Sequence, residues 1–510
     1  MRRSLALILL SLLLACRAVT GLPTLTTAPS TLPAQLTTAT SPPTLTLEAP
    51  IPTLTLTPPE APFTLHYHPD GGLYIGDLVS FEVIAPQGAN LKDRRAVVSV
   101  EGLPGASFGP AEFGRFGIAG RAQATLMWAW DTSDLPAGDY TLDYSIQPDG
   151  WQWSQTVTLL PEGNLPEAER STHWASAESD CCLLYYITNT EAQRDLPKLL
   201  EMADAQAAYV SDRFGTQFSG PVTLVILPRV LGHGGFTNKD IAFSYLDRRY
   251  TGGDVDIILR HEMVHYLDNQ LGGEFRPTML LEGLAVYMSG GHFKPEPLLP
   301  RAAALLELGW YQPLDHLAEN FYPSQHEIGY MEAGALVEYM VERWGWEAFN
   351  RFYRDIHPGP RGGGQVGPMD AALTRHFGIT FAQLEGDYLK ALRLETVTDQ
   401  IKEDVRLTVA FYDTVRRYQQ AFDPSAYYLT TWLPDGKQMR ERGIVADYLR
   451  HPSAPTNIAL ETLLVSAYDQ LRAGNYDQAE RLVETVDQAL TILAPTSSGA
   501  DGFPLSSPLF

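Results

Sequence analysis

Residues Arg260 to Asp268 read RHEMVHYLD. On a helix, His261 and His265 stand four apart and share one face, with the carboxylate of Glu262 beside them. Two readings compete: a metal site, or the wet face of an ordinary amphipathic helix. The neighbouring residues favour the first, because Ile257, Ile258, Leu259, Met263, Val264 and Leu267 make the segment mainly apolar. Grouping polar side chains inside such a helix costs free energy unless something pairs with them. A cation would do that.

A catalytic zinc takes three protein ligands and keeps one position open. Downstream, LLEGLAVY over Leu280 to Tyr287 carries Glu282 as a lone carboxylate in an apolar helix. Gly272, Gly273 and Pro277 break the chain between the two helices, so that they can fold back and bring Glu282 over the histidine pair. The metzincin pattern is excluded, since it wants Gly at 268 and His at 271 where this chain has Asp268 and Leu271.

HEMVH followed by LLEGLAVY resembles the gluzincin zinc metallopeptidases, the thermolysin-like peptidase MA domain family. The likeness extends over about 180 to 395 and takes in the lead-in from 183 to 227, the YMEAGALVEYMVERWGWEAF helix and LTRHFGITFAQLEGDYLKAL. The resemblance implies an α+β thermolysin-like zincin domain acting on a peptide or protein substrate. It implies one Zn2+ ion held by His261, His265 and Glu282, with Glu262 as catalytic base. It also implies an oxyanion donor from a later helix: Tyr330 is the nearest match, Tyr322 and His326 are rivals, and simple core packing is the alternative for Tyr330. Ile241 to Leu246 reads either as the sheet edge on which a peptide aligns or as an interior strand. Asp268 reads as a solvated residue near a helix end rather than a partner of His265. His233 and His316 have no motif around them and read as surface or loop residues. PRGGGQVG at 360 to 367 reads as a lid or a connector.

The rest of the chain frames this segment. With 510 residues, 45% of them apolar, several domains are expected. The formal charge of −23 argues against nucleic acid and anionic lipid as partners, whose phosphates would be repelled. At the N-terminus, Arg2 and Arg3 precede LALILLSLLL, the charged and apolar regions of a secretory signal. Leu13-Leu14-Ala15-Cys16 resembles the lipobox of bacterial lipoproteins, which implies cleavage before Cys16, lipidation of that cysteine, and an extracytoplasmic protein anchored to a bacterial membrane. A plain signal peptide with an incidental cysteine is the alternative. Cys181 and Cys182 are then the remaining cysteines and read as small buried apolar residues rather than a disulfide.

After the 1–15 signal, residues 16–60 are rich in Thr and Pro and read as a disordered tether. From 61 to 162, FTLHYH, VSFEVIAP, AVVSVEGL, ATLMWAW, YTLDYSI and WSQTVTLL alternate between turns as in an immunoglobulin-like β-sandwich. The zincin domain is expected at 170–395. Residues 396–495 read as an all-α region in which LRAGNYDQAERLVETVDQAL has the spacing of one tetratricopeptide-like helix pair, a surface for a protein partner, followed by a disordered tail at 496–510. Set against a membrane-anchored zinc peptidase is a non-catalytic surface scaffold or binding lipoprotein on a degenerate peptidase fold. Glu262 discriminates, since a scaffold has no use for a base beside three ligands.

Overall fold

Alternation builds the N-terminal part of the chain. In Arg95–Val100, Ala96, Val98 and Val100 are buried while the residues between them are not. Among the described residues the strands run in the order β1 Thr64–His68, β2 Leu73–Tyr74, β3 Leu78–Ile84, β4 Arg95–Val100, β5 Ser107–Glu112, β6 Gly114–Phe116, β7 Arg121–Asp131, β8 Gly138–Gln147 and β9 Trp151–Leu160. They make two sheets, β1-β3-β7-β6 and β2-β9-β8-β4-β5. Val79, Phe81 and Val83 of one and Val98, Leu142, Tyr144 and Ile146 of the other share a core. Strand β5 had no signal in the sequence because SFGPAE contains Gly109 and Pro110, and proline is tolerated only at an edge, which is where β5 lies.

This computed structural model describes residues 63–493 apart from 87, 117–120, 149, 229–233, 247, 323–325, 361–362, 424–435 and 451–453. Cys16, the tether, His233 and the C-terminal tail lie outside the described residues. Among the described residues no helix is long and apolar enough to cross a membrane.

A third, mixed sheet follows, in the order β10 Trp174–Glu178, β11 Cys182–Ile187, β12 Val222–Leu227, β14 Ile241–Ser244 and β13 Gly235–Thr237. Strand β12 runs parallel to both neighbours and is apolar almost throughout, as strands buried on both faces are. Of the two readings of Ile241 to Leu246, the structure takes the interior one: β14 pairs with β12 on one side and β13 on the other. Among the described residues the edge of the sheet on that side is the half-buried strand Gly235–Thr237. Helix α1, Leu196–Phe214, adds Leu199, Ala203, Ala207 and Val210 to the core that β11 and β12 share.

Cys181 and Cys182 correct the expectation of free thiols, for they are joined to each other. The turn into β11, pinned where Asp204 accepts the Cys181 N–H at 2.8 Å, brings the neighbouring sulfurs together.

Helix α2, Val255–Leu271, ends at Gly272, and α3, Thr278–Ser289, ends at Gly290, whose left-handed backbone suits a glycine. α3 lies against α6, His326–Trp344, which follows α4, Leu298–Glu307, and α5, Leu314–Glu319. A Cβ on Gly283 would strike the carbonyl of Ala333, and one on Gly334 would strike Val286. The two backbones therefore touch, and Glu282 inherits its position from that contact.

The C-terminal helices, α7 Asp399–Phe422, α8 Pro455–Arg472 and α9 Tyr476–Leu493, share one core with α2 and α3: Leu407, Phe411, Leu464 and Tyr468 belong with Leu259 and Leu284. They grip the segment that leads into α2 and the one that leaves α3. Tyr250 donates to Asp423 at 2.7 Å, Arg248 pairs with Glu461 at 2.7 Å, and the Tyr468 hydroxyl donates to the carbonyl of Phe293 at 3.0 Å. Residues 436–450 join the sandwich to the mixed sheet. There Trp128 donates to Asp447 at 3.0 Å, Trp174 donates to the Ile444 carbonyl at 2.9 Å, and buried Arg450 bridges Asp77 and Glu169 at 2.6 and 2.5 Å.

Candidate metal centre

One turn of α2 puts the Nε2 atoms of His261 and His265 3.1 Å apart. From α3, Glu282 brings Oε2 to 3.4 Å from the first and 3.2 Å from the second. These three residues form the one His/Cys/Asp/Glu group among the described residues whose donor atoms lie mutually within 4.8 Å. His261 and Glu282 are buried and His265 is partly so.

The spacing fits a small divalent ion. Ligands about 2.0–2.1 Å from a tetrahedral zinc stand about 3.3 Å from one another, the edge of the tetrahedron. The three donor separations fall around that value. The donor set, two imidazoles and a carboxylate, also suits zinc, and three such atoms leave a fourth position open. Two ring nitrogens and a carboxylate oxygen converge here, and among the described residues no lysine or arginine is paired with Glu262 or Glu282.

The titration behaviour carries the same imprint. Burial would raise Glu282, but the charge of His265 and hydrogen bonds from both imidazoles hold it well below the usual carboxylate range. Burial would lower His265, yet Glu282 lifts it to about 9, while burial pushes His261 below its ordinary value. Glu262, buried beside the cleft, is raised by desolvation.

Glu262 is held from the sheet edge. The Thr237 hydroxyl lies 2.7 Å from its Oε2 and 2.9 Å from its backbone carbonyl. A Cβ at Gly235 would strike the Glu262 side chain and Ile258, so the glycine is what lets the edge strand pass this close. Across the cleft, of about 270 Å³, stand Tyr322, Tyr330, His292 and Phe293. The Tyr322 hydroxyl donates to Glu282 Oε1 at 2.7 Å. Burial and then the charge of Glu282 raise the Tyr322 phenol, so it stays a donor. Tyr330 is buried with its ring 3.8 Å from that of His292, nearly parallel at 7°, and 6.2 Å from that of His261. Burial pushes the Tyr330 phenol well above its ordinary value. His292 Nδ1 faces Glu327 Oε2 at 3.3 Å, and burial drives the imidazole down to about 3 and the carboxyl up to about 8.

The structure thus brings His261, Glu262, His265, Glu282, Tyr322 and Tyr330 to one cleft. His316 is exposed on α5, and the side chain of His326 lies outside the described residues. Asp268 corrects the expectation of a solvated residue. It is fully buried, with Arg354 at 2.6 Å, Arg276 at 2.9 Å and the Tyr353 hydroxyl at 3.1 Å, because two later segments fold over that end of α2. Thr237 and His292 were not singled out from the sequence. Thr237 had no signal at all, whereas His292, directly after the Gly290-Gly291 stop of the Glu282 helix, had at least its position.

No protein-family model matches the chain, and no curated protein matches it. Among solved structures, the crystal structure of an aminopeptidase N family protein from Idiomarina loihiensis aligns at 11% identity with a TM-score of 0.27, covering 67% of this chain and 78% of that chain. That likeness is too slight to carry a fold or a function.

Proposed function

We propose that this chain is a zinc-dependent peptidase of the gluzincin type, its ion held by His261, His265 and Glu282 and its substrate a peptide or protein. The observation that carries the reading is the convergence of those three donors at tetrahedral spacing with Glu262 alongside, one carboxylate on the ion and one left over. A zinc ion bound there supplies Lewis acidity to a scissile carbonyl and acidifies a water molecule. Glu262 takes the proton of the attacking water and returns it to the leaving amine, a task helped by burial that raises its carboxyl toward working pH. Thr237 holds one oxygen of Glu262 and so orients the other. Tyr330, facing the cleft, donates to the developing oxyanion. The edge strand Gly235–Thr237 offers its backbone to an extended substrate.

In the same proposal the sandwich at 61–162 is an immunoglobulin-like spacer, the catalytic part is a thermolysin-like domain at 170–395, and lipidated Cys16 tethers the protein outside a bacterial cytoplasm. The helices of 396–495 complete the scaffold of the site.

The test is the metal content of purified protein together with Glu262→Gln. About one equivalent of zinc, retained in the variant while peptide turnover falls by about 10²–10⁴-fold, is the expected result. A Glu262→Gln protein that cleaves a peptide library as fast as wild type refutes the assignment.

A further inference from the structure

Two carboxylates face this cleft, and each has one oxygen occupied by a hydroxyl: Thr237 on Oε2 of Glu262, Tyr322 on Oε1 of Glu282, both at 2.7 Å. The second pairing is the less expected. Tyr322 stands at the cleft rim with 47% of its surface exposed, where a tyrosine would be read as a group awaiting substrate. Its hydroxyl is instead spent on the outer oxygen of Glu282, while the inner oxygen, Oε2, faces both imidazoles.

Resting on the zinc-peptidase reading above, we propose that Tyr322 is a positioning residue for the metal ligand Glu282, and that the oxyanion role does not fall to it. With Oε1 tied, the carboxylate cannot turn about its terminal bond to offer both oxygens inward or to swing toward Glu262. A hydrogen bond to an ionised carboxylate is of the strong, charge-assisted kind and has directional force. The turn that presents Tyr322 is itself anchored. Phe321, 3% exposed, packs edge-on against Tyr330 at 5.0 Å, so the residue next to Tyr322 is fixed in the core. The two tyrosines therefore divide the work: Tyr330, buried flat against His292, belongs to the substrate side, and Tyr322 to the metal side.

The experiment compares wild type, Tyr322→Phe and Tyr330→Phe in zinc competition against a chromogenic chelator, in peptide turnover at saturating zinc, and in thermal unfolding of the metal-free proteins. Loss of a hydrogen bond to a metal ligand typically weakens metal affinity by about 10–100-fold. Tyr322→Phe is expected to show that loss, to regain turnover once zinc saturates, and to melt only slightly below wild type without metal, since Glu282 keeps both imidazoles. Tyr330→Phe is expected to keep zinc affinity and lose turnover. Unchanged zinc affinity in Tyr322→Phe overturns the proposal, as does turnover that stays depressed at saturating zinc, which would put Tyr322 on the substrate. A wild-type protein that takes up no zinc sinks the peptidase reading itself, a distinct result from either.

Discussion

Two buried polar clusters lie side by side in the helical part of this molecule, and they are balanced in opposite ways. In the first, His261, His265, Glu262 and Glu282 meet with hydroxyl partners but with no lysine or arginine among the described residues. In the second, Arg301, which is 1% exposed, pairs with Glu296 at 3.2 Å and with Asp404, while Lys294 holds Asp404 at 2.9 Å. Two cations there answer two anions. His292 stands between the clusters, its ring 5.5 Å from that of His261 and its backbone N–H directed at Glu296. A buried ionic group is tolerated when its charges are matched and costs heavily when one is left alone. The second cluster is matched by the protein, and it ties α7 to α4. The first is matched in part by the imidazole of His265, which pairs with Glu282 at 3.2 Å and whose place an added ion would take.

The comparison breaks most visibly at Arg301. Arg301→Met leaves Glu296 and Asp404 short of a partner and should cost about 3–5 kcal/mol in urea unfolding, the same with and without zinc. If zinc rescues that loss, the clusters are not independent. The opposite signature is expected of His265→Ala. Wild type should gain about 4 kcal/mol when zinc stands a thousandfold above its dissociation constant, and the variant should lose that gain, on top of about 1–3 kcal/mol of metal-free stability lost with the imidazole that pairs with buried Glu282. Calorimetry in chelator and in zinc separates the two; a His265→Ala protein that keeps the zinc-dependent gain contradicts the site. A smaller effect sharpens the geometry. Gly283→Ala adds a methyl against the Ala333 carbonyl, which should cost about 1–3 kcal/mol and weaken zinc binding by displacing Glu282. Destabilisation without a change in zinc affinity would mean that Glu282 does not depend on that helix contact.

Much of the first cluster was legible in the sequence because its members lie close along the chain. His261 and His265 are one helical turn apart, and Glu282 stands alone in an apolar stretch just beyond a glycine break. The second cluster was invisible. Asp404 is more than a hundred residues from Arg301, and nothing in either segment names the other. Shorter separations, 25 residues for Thr237 and Glu262 and 40 for Tyr322 and Glu282, were enough to hide those two clamps. The burial of Asp268 was hidden too, since its partners Arg276, Tyr353 and Arg354 arrive from separate segments. For the edge strand, alternation and apolarity marked Ile241–Ser244 as a strand but could not say what flanked it. Gly235–Thr237 is too short to announce itself.

The sequence alone therefore determined the histidine-bearing face of α2, the lone carboxylate of α3 and the alternating strands of the N-terminal sheets, because each follows from the repeat of a single element, 3.6 residues in a helix or two in a strand. Only the tertiary structure decided which strand forms the edge beside Glu262, which hydroxyls hold the two carboxylates, and that the C-terminal helices share the core of the site. Those features are contacts between elements far apart in the chain, and the repeat of an element fixes which of its faces is buried, not what will be packed against it.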